Sequence, residues 1–562
     1  MTTIRWEDYI SLYGPTTGDR VRLGDTDLWV QVEADDTEPG EELIGGCAKT
    51  ARHGALVSAR ADRSSALDMV ILGVVVIDPV VGIRKSSIGI KDGRIVGIGR
   101  AGNPEVQRGI ELELDAHTAM ITGEGMIATP GVVDSHVHLS NAELVPSALS
   151  TGVTTIVGMG IGGVWDVGAN PRNNLHTLIE SWAHAPINAA FLARGSSTSP
   201  ALLEEAVIAG CGGFKIHEDW GASPRIIDNC LSVADAADLP VALHTDTLNE
   251  SGYLDDTLAA INGRNVHAYH VEGGGGHPDL LRIVEQPHVL TSSTTPTLPL
   301  TPSTVAALGP MTMTVHRGHR LLSSDAAIAA SRIREHAIAA ENQLHDMGAI
   351  SIINSDALGM GYINESVRRT WQLAHVRATL AGETGPEFAN NARVLRYLAK
   401  LTVNPAVAHG MADHVGSLQP GRIADVVLWT PAWFGASPEL VIKSGFVAWG
   451  TSGSGSGSTR LTQPRRMGPL YGGLGGAPSR LSHVFMAQAC LDDAAAKAAL
   501  PAGRTYTAIK NSRGLSCQDM RFNTRTPSVE VTQEPEPVLV DAVPVELHRA
   551  TALPLTRTYH LA

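Results

Sequence analysis

The sequence predicts an α/β protein: a closed (β/α)8, TIM-like barrel plus a β-rich composite sandwich domain built from N- and C-terminal segments. Short apolar runs alternate with helical patterns from about residue 130, which is typical of a parallel sheet. Eight such runs over roughly 220 residues match a closed barrel. An open doubly wound sheet is the alternative, but it gives no reason for polar residues at so many strand ends. The predicted strands are 131–138, 153–158, 187–193, 213–217, 240–244, 265–270, 288–292 and 349–354.

β-type patterns flank the barrel on both sides. Residues 68–100 hold β-branched runs with a turn signal at Asp92-Gly93, which favours hairpins. From residue 414, the stretch HVGSLQPGRIADVVLWTP returns to the same pattern. We therefore predict an N-terminal segment of the sandwich domain (1–130), the barrel (131–413), a return segment of the sandwich domain (414–480) and a C-terminal extension (481–562).

Composition excludes several classes of function. The formal net charge is −14 with 43 Lys and Arg residues, which argues against a nucleic-acid-binding surface. The longest apolar run, MVILGVVVI at 69–77, is too short to cross a bilayer, and the N-terminus has no signal-peptide pattern. Five scattered cysteines indicate neither a disulfide framework nor a zinc knuckle. We expect a cytoplasmic protein.

Polar residues of metal-binding type stand at the carboxyl ends of the predicted strands, where the active sites of such barrels lie. Singly, each histidine is most simply a hydrogen-bonded structural residue. Together, four imidazoles and one carboxylate favour zinc, nickel, iron or cobalt over magnesium or calcium. Seven residues at the strand ends would face one mouth: His136 and His138 on strand one, Lys215 and His217 on strand four, His244 on strand five, His270 on strand six and Asp356 after strand eight.

Lys215 does not fit a metal site in its ordinary state. Alternate residues of a strand share one face, so Lys215 and His217 point the same way. An ammonium group would be repelled by a metal ion, so the lysine can join the site only as a neutral amine or after modification. The alternative is an ion pair with Glu218 or Asp219.

These positions resemble the binuclear amidohydrolase superfamily, and longer motifs resemble the urease catalytic (alpha) subunit family. The resemblance runs from near residue 5 to the C-terminus. The motifs are YGPTTGDRVRLGDTDLWVQVE (13–33), KDGRIVGIGRAGNP (91–104), GFKIHEDWG (213–221), VALHTDTLNESGY (241–253), SRIREHAIAAENQLHDMGA (331–349) and TVNPAVAHGMADHVGSLQPGRIADVVLW (402–429).

The resemblance implies a role for each position. Lys215 would be carbamylated and would bridge two nickel ions, which turns a misfit cation into an anionic oxygen ligand. One nickel would be held by His136, His138 and Asp356, and the other by His244 and His270. His217 would bind the urea carbonyl, and Asp219 would orient a catalytic imidazole. A flap near 311–330 would carry the general acid His316, supported by Arg332.

The implied activity is hydrolysis of urea to ammonia and carbamate, which then yields carbon dioxide. The implied partners are small urease beta and gamma subunits and accessory proteins that deliver nickel.

Several stretches depart from the family pattern, and they surround the substrate rather than the metals. The usual Cys-His-His of the flap is Val315-His316-Arg317 here, and the loops at 158–171 and 272–279 also differ. Two alternatives therefore stay open. One is a urease-like amidohydrolase that acts on another small amide, ureide or guanidine compound. The other is a catalytically silent subunit that serves assembly.

Overall fold

The computed structural model describes most of the chain, and the structural statements below concern that part. The described residues are 3–43, 56–60, 62, 64–141, 143–159, 170, 172–217, 220–245, 254–272, 278–315, 317–319, 321–452, 466–532 and 536–556.

Eight parallel strands form the central barrel, and their order in space is their order in the chain. The two ends of the sheet meet where the backbone N–H of His138 donates to the carbonyl of Ala357 at 2.9 Å, beside a bridge between Val137 and Ala357. The predicted barrel is therefore confirmed. The strands, β1 to β8, are Val132–His138, Val153–Met159, Asn188–Arg194, Phe214–Ile216, Val241–His244, Val266–Tyr269, Val289–Thr294 and Ile352–Asn354.

Helices lie around the barrel, and several of them bury an apolar face. Pro224–Ala237 is an example: proline occupies its first turn, where no hydrogen-bonding N–H is needed, and Ile227, Cys230 and Leu231 are buried. The other α-helices of this region are Leu144–Leu149, Arg172–Ser181, Pro200–Ala209, Leu254–Ile261, Thr304–Val315, Ser323–Arg332, Glu335–Met347, Ile363–Leu380, Asn391–Leu401 and Val403–Ala408, with 3₁₀ turns at Pro278–Glu285 and Thr295–Thr297.

A ten-stranded sheet joins segments from both sides of the barrel, as the sequence predicts. Ile127–Pro130 pairs antiparallel with Val426–Trp429, which links the N-terminal and return segments. The residue boundaries of the domains stay a prediction. In sheet order the main strands are Arg466–Pro469, Phe446–Ser452, Leu440–Lys443, Val426–Trp429, Ile127–Pro130, Met69–Asp78, Gly82–Lys91 and Ala34–Asp35, with Arg94–Gly99 and Ala119–Thr122 attached beside them.

Two strands of the C-terminal extension extend the barrel sheet at β3. His483–Met486 pairs in parallel with β3 at Ala189 and Ala190, and Thr505–Ala508 pairs with it in turn. Sequence patterns did not predict this branch. The remaining short elements are the helices Trp6–Tyr13, Ala477–Leu481, Gln488–Asp492 and Ala494–Ala498, the strands Arg20–Arg22, Trp29–Gln31, Ala101–Gly102, Leu112–Glu113, Val529–Glu530, Leu539–Val540 and Val543–Pro544, and the 3₁₀ turns Pro431–Trp433, Tyr471–Gly473 and Cys517–Asp519.

A buried polar cluster fastens the sheet and the C-terminal extension to the amino-terminal end of the barrel. Lys443 contacts the Asp425 carboxylate and, at 3.1 Å, the carbonyl of Thr154. Asn188, the first residue of β3, donates to Asp425 Oδ2 at 2.7 Å, and its own Oδ1 accepts from the N–H of His483 at 2.9 Å. We call Lys443, Asp425 and Asn188 the foot cluster.

Within the described ranges, no helix combines the length and the apolar composition that a bilayer crossing requires.

Candidate metal centre

His136 and His138 are alternate residues of β1, so both imidazoles point into the mouth of the barrel. Both residues are buried. The backbone N–H groups of His136 and Ser355 donate to Asp134 Oδ1 at 3.3 and 3.1 Å, which ties β1 to the segment after β8. Burial raises the pKa of Asp134 to about 6, against these hydrogen bonds, which lower it.

Asp356 brings the imidazoles together. Its Oδ1 lies 3.0 Å from Nε2 of His138 and 3.2 Å from Nε2 of His136. Its Oδ2 lies 3.8 Å from Nε2 of His270. Burial disfavours the charged carboxylate, but the hydrogen bond with His138 and electrostatic attraction from His270 and His138 outweigh burial and lower the pKa of Asp356. Donor atoms of His136, His138 and Asp356 all lie within 4.8 Å of one another, as one divalent ion requires.

Lys215 is fully buried in the same mouth, on β4. Its Nζ lies 3.8 Å from the ring centre of Tyr269. The ring of His136 also stacks on Tyr269, with 3.9 Å between the ring centroids. Burial and then the nearby Lys215 charge lower the pKa of His136 well below its usual value, which favours the neutral imidazole that binds metals. The alternative partners of Lys215, Glu218 and Asp219, lie outside the described residues.

The remaining predicted imidazoles continue the same cluster. Ring centroids are 4.2 Å apart for His217 and His244, and 4.5 Å apart for His244 and His270. His270 reaches back to His136 at 4.9 Å. The structure therefore brings together six predicted metal positions and the predicted substrate-binding His217.

Two of these residues hold strained backbones. His270 has φ +56° and Asp356 has φ +49°, in the left-handed region that non-glycine residues rarely adopt. Such strain persists only where neighbouring groups hold it. At His270, the Thr245 hydroxyl contacts the carbonyl groups of Tyr269 and His270.

Three predicted catalytic residues cannot be placed in this cluster. Asp219 and His316 lie outside the described residues. Arg332 ends the helix Ser323–Arg332, and its side chain is likewise outside the described part. Their roles, and a flap near 311–330, stay predictions.

Sequence reasoning missed Tyr269 and Glu272. Tyr269 supports His136 and Lys215, and its hydroxyl donates to the carbonyl of Ser135. Glu272 Oε1 lies 2.9 Å from Nδ1 of His270. The available signal was position, because both residues lie within two places of the strand-end His270.

Comparison with known proteins agrees with this arrangement. The Amidohydrolase family model matches residues 127–468, and the model for the N-terminal domain of the urease alpha-subunit matches residues 2–121. Urease subunit alpha 1 of Streptomyces avermitilis is 46% identical over 98% of this chain and 99% of its own length. The chain belongs to the urease alpha-subunit family.

Two further relatives match the urease alpha-subunit family over nearly their whole length. Urease subunit alpha 2 of Streptomyces coelicolor is 46% identical over 98% of this chain and 99% of its own length. Urease subunit alpha of Sulfurisphaera tokodaii is 44% identical over 99% of each chain. Among solved structures, the L-hydantoinase of Arthrobacter aurescens is similar at a TM-score of 0.48 and 16% identity, over 68% of this chain and 96% of that one.

Proposed function

We propose that this chain is the catalytic subunit of a urease, which hydrolyses urea to ammonia and carbamate, with carbon dioxide formed from the carbamate. The observation that carries the proposal is the buried Lys215 among the imidazoles of the mouth, beside the site formed by His136, His138 and Asp356. The family relationship along the whole chain supports it.

The donor set fits two divalent ions. His136, His138 and Asp356 would hold one nickel ion, and His244 and His270 would hold the other. Lys215, converted to a carbamate by carbon dioxide with loss of a proton, would help to hold both ions and would bring negative charge where an ammonium group brings repulsion. When bound, the ions supply Lewis acidity, which polarises a carbonyl and lowers the pKa of water from roughly 15.7 toward 7.

The chain's own residues would then position the substrate and move its protons. His217 would donate a hydrogen bond to the urea carbonyl oxygen, with its ring fixed between His244 at 4.2 Å and Trp220 at 5.7 Å. His316 would donate a proton to the departing amine, Arg332 would support that charge state, and Asp219 would orient a catalytic imidazole. These last three roles rest on family resemblance.

Beta and gamma subunits and nickel-delivery proteins would complete the system, in the cytoplasm. The relatives are named as alpha subunits, which supports an assembly of several chains.

One observation favours a second candidate substrate class. Leu358 and Tyr362 follow Asp356 in the segment after β8, and they are 43% and 65% exposed. In this second proposal, the two side chains would contact a small amide, ureide or guanidine compound larger than urea.

The test is co-expression with the partner subunits and accessory proteins in nickel and bicarbonate, followed by metal analysis and ammonia-release assays. Two nickel ions per chain with ammonia released from urea is the expected result. Two nickel ions without urea hydrolysis would overturn the urea assignment. Ammonia from another amide would then support the second candidate, whereas inactivity on every amide would support a silent assembly subunit.

A further inference from the structure

We propose that Glu272 is a positioning residue that fixes the ring of His270 with Nε2 toward the metal centre. The inference rests on the proposed metal centre and adds a residue that acts on it from outside. One buried polar cluster between β6, β7 and the helix Glu335–Met347 supports this role through its hydrogen bonds.

The bond between Glu272 and His270 assigns the roles of the two ring nitrogens. Glu272 Oε1 lies 2.9 Å from Nδ1 of His270, and a carboxylate only accepts hydrogen bonds. Nδ1 is therefore the donor, and Nε2 keeps its lone pair. Nε2 is also the nitrogen that faces the Asp356 carboxylate, at 3.8 Å. A ring turned by half a rotation would place the Cε1–H group where Nε2 stands, and the other tautomer would place an N–H there.

Glu272 is itself held in place from β7. Thr294, the last residue of that strand, donates its hydroxyl to Glu272 Oε1 at 2.5 Å and its backbone N–H to Oε2 at 3.3 Å. Both residues are buried. The carboxylate therefore has little freedom to leave His270, and this contact helps to hold the left-handed backbone of that histidine.

A second buried glutamate in the same cluster provides a matched control. Glu341 is fully buried, and its Oε1 accepts from the Thr297 hydroxyl at 2.8 Å. Burial and then the charge of Glu272 raise the pKa of Glu341 well above its usual value, which favours its neutral acid form. Glutamine closely mimics a neutral acid, so Glu341→Gln leaves the charge distribution nearly unchanged.

Four variants separate positioning from general packing: Glu272→Ala, Glu272→Gln, Thr294→Val and Glu341→Gln. Each is co-expressed as in the activity test, and nickel per chain, the rate of nickel loss to a chelator and the ligand-field absorption spectrum are measured. Removing an orienting partner of a metal ligand typically costs about 10- to 100-fold in metal affinity. We expect nickel loss to be about 10- to 100-fold faster in Glu272→Ala and Glu272→Gln.

The other two variants should change the rate of nickel loss less. Thr294→Val removes one of the two bonds that hold Glu272, so we expect nickel loss only a few-fold faster. Glu341→Gln should stay within about two-fold of the wild type and keep its spectrum, while the spectrum of Glu272→Gln shifts. Thermal unfolding of the metal-free proteins shows whether each variant is folded, and Glu272→Gln carries the test if Glu272→Ala does not fold.

The outcomes separate the two proposals. Unchanged nickel retention in both Glu272 variants, or equal loss in Glu341→Gln, would overturn the positioning role while a urea-hydrolysing wild type upholds the proposed function. A wild type that retains no metal would overturn the metal centre, and the role of Glu272 with it.

Discussion

The barrel buries a lysine at each of its two ends, and the two lysines meet different surroundings. At the foot, Lys443 contacts the carboxylate of Asp425 and the carbonyl of Thr154. At the mouth, Lys215 lies over the ring of Tyr269 and close to the imidazole of His136. Both side chains are fully buried.

The difference shows which end is built for stability and which for chemistry. A buried charge needs a partner of opposite sign, and Lys443 has one. Burial still lowers the pKa of Lys443, although Asp425 acts against it. The mouth gathers imidazoles and the Asp356 carboxylate near Lys215, which is the donor set of the metal centre proposed above. Changes at the foot should therefore affect folding, and changes at the mouth should affect metal content and rate.

The largest effect should come from Asp356→Asn at the mouth. The amide replaces the carboxylate that meets His136, His138 and His270, so the ion proposed there would lose its charged ligand. We expect kcat/KM for urea to fall by roughly a thousand-fold or more, equivalent to about 4 kcal/mol of transition-state stabilisation. Steady-state kinetics with metal analysis checks this. Full activity with two nickel ions would remove Asp356 from the centre.

Asp425→Asn at the foot should act on stability instead. Removing one partner of a buried ion pair leaves an uncompensated charge on Lys443, which costs roughly 3–5 kcal/mol. Guanidinium unfolding measures the loss, and activity per folded molecule should not change. The double variant Asp425→Asn with Lys443→Met should recover part of the stability. The exposed pair Arg5–Asp8 is the control, because Asp8→Asn should leave unfolding unchanged.

A smaller effect is expected from pH on the metal-free protein. His409 lies in the barrel interior with its Nε2 2.8 Å from Nδ1 of His267, and burial lowers the pKa of His409 to about 3. Its unfolded value is near 6.5, so the unfolded chain binds the proton first as pH falls. The contribution of the neutral His409 to the free energy of unfolding is thus complete above pH 6.5 and is lost between about pH 6.5 and pH 3.

Between pH 7.5 and 5, His409 alone should account for roughly 2 kcal/mol of lost stability. Guanidinium unfolding at both pH values measures this, with His409→Gln as the comparison. The loss should be smaller in that variant. An equal loss in both proteins would show that His409 is not the titrating group.

The smallest effect should come from Tyr269→Phe. The ring stays beneath His136 and Lys215, and only the hydrogen bond to the Ser135 carbonyl is lost. We expect about 1 kcal/mol lower stability and a change of no more than a few-fold in rate. Tyr506→Phe, which loses a similar bond to Pro501, is the control. A large loss of activity in Tyr269→Phe alone would give that hydroxyl a chemical role.

The sequence was informative where local pattern determines structure. Alternate residues of a strand share one face, so the spacing correctly placed His136 and His138 on the same side. The carboxyl ends of parallel strands meet at one end of a barrel, so the mouth could be predicted. Contacts between distant segments carry no such local signal. Two features depend on how separate segments pack. One is the set of contacts that Glu272 makes with Thr294 and His270, and the other is the pairing of His483–Met486 with β3. Sequence periodicity does not encode that packing.

Lys215 and Lys443 offer the most direct test of the proposed metal centre. Lys215→Met and Lys443→Met each remove one buried ammonium group and keep a similar side-chain volume, and nickel per folded chain is measured after co-expression in nickel and bicarbonate. We expect that Lys215→Met folds at least as stably as the wild type but loses the nickel. Lys443→Met should be less stable, but its folded fraction should keep two nickel ions. Two nickel ions retained in Lys215→Met would contradict the proposed role of Lys215 in holding the metal ions.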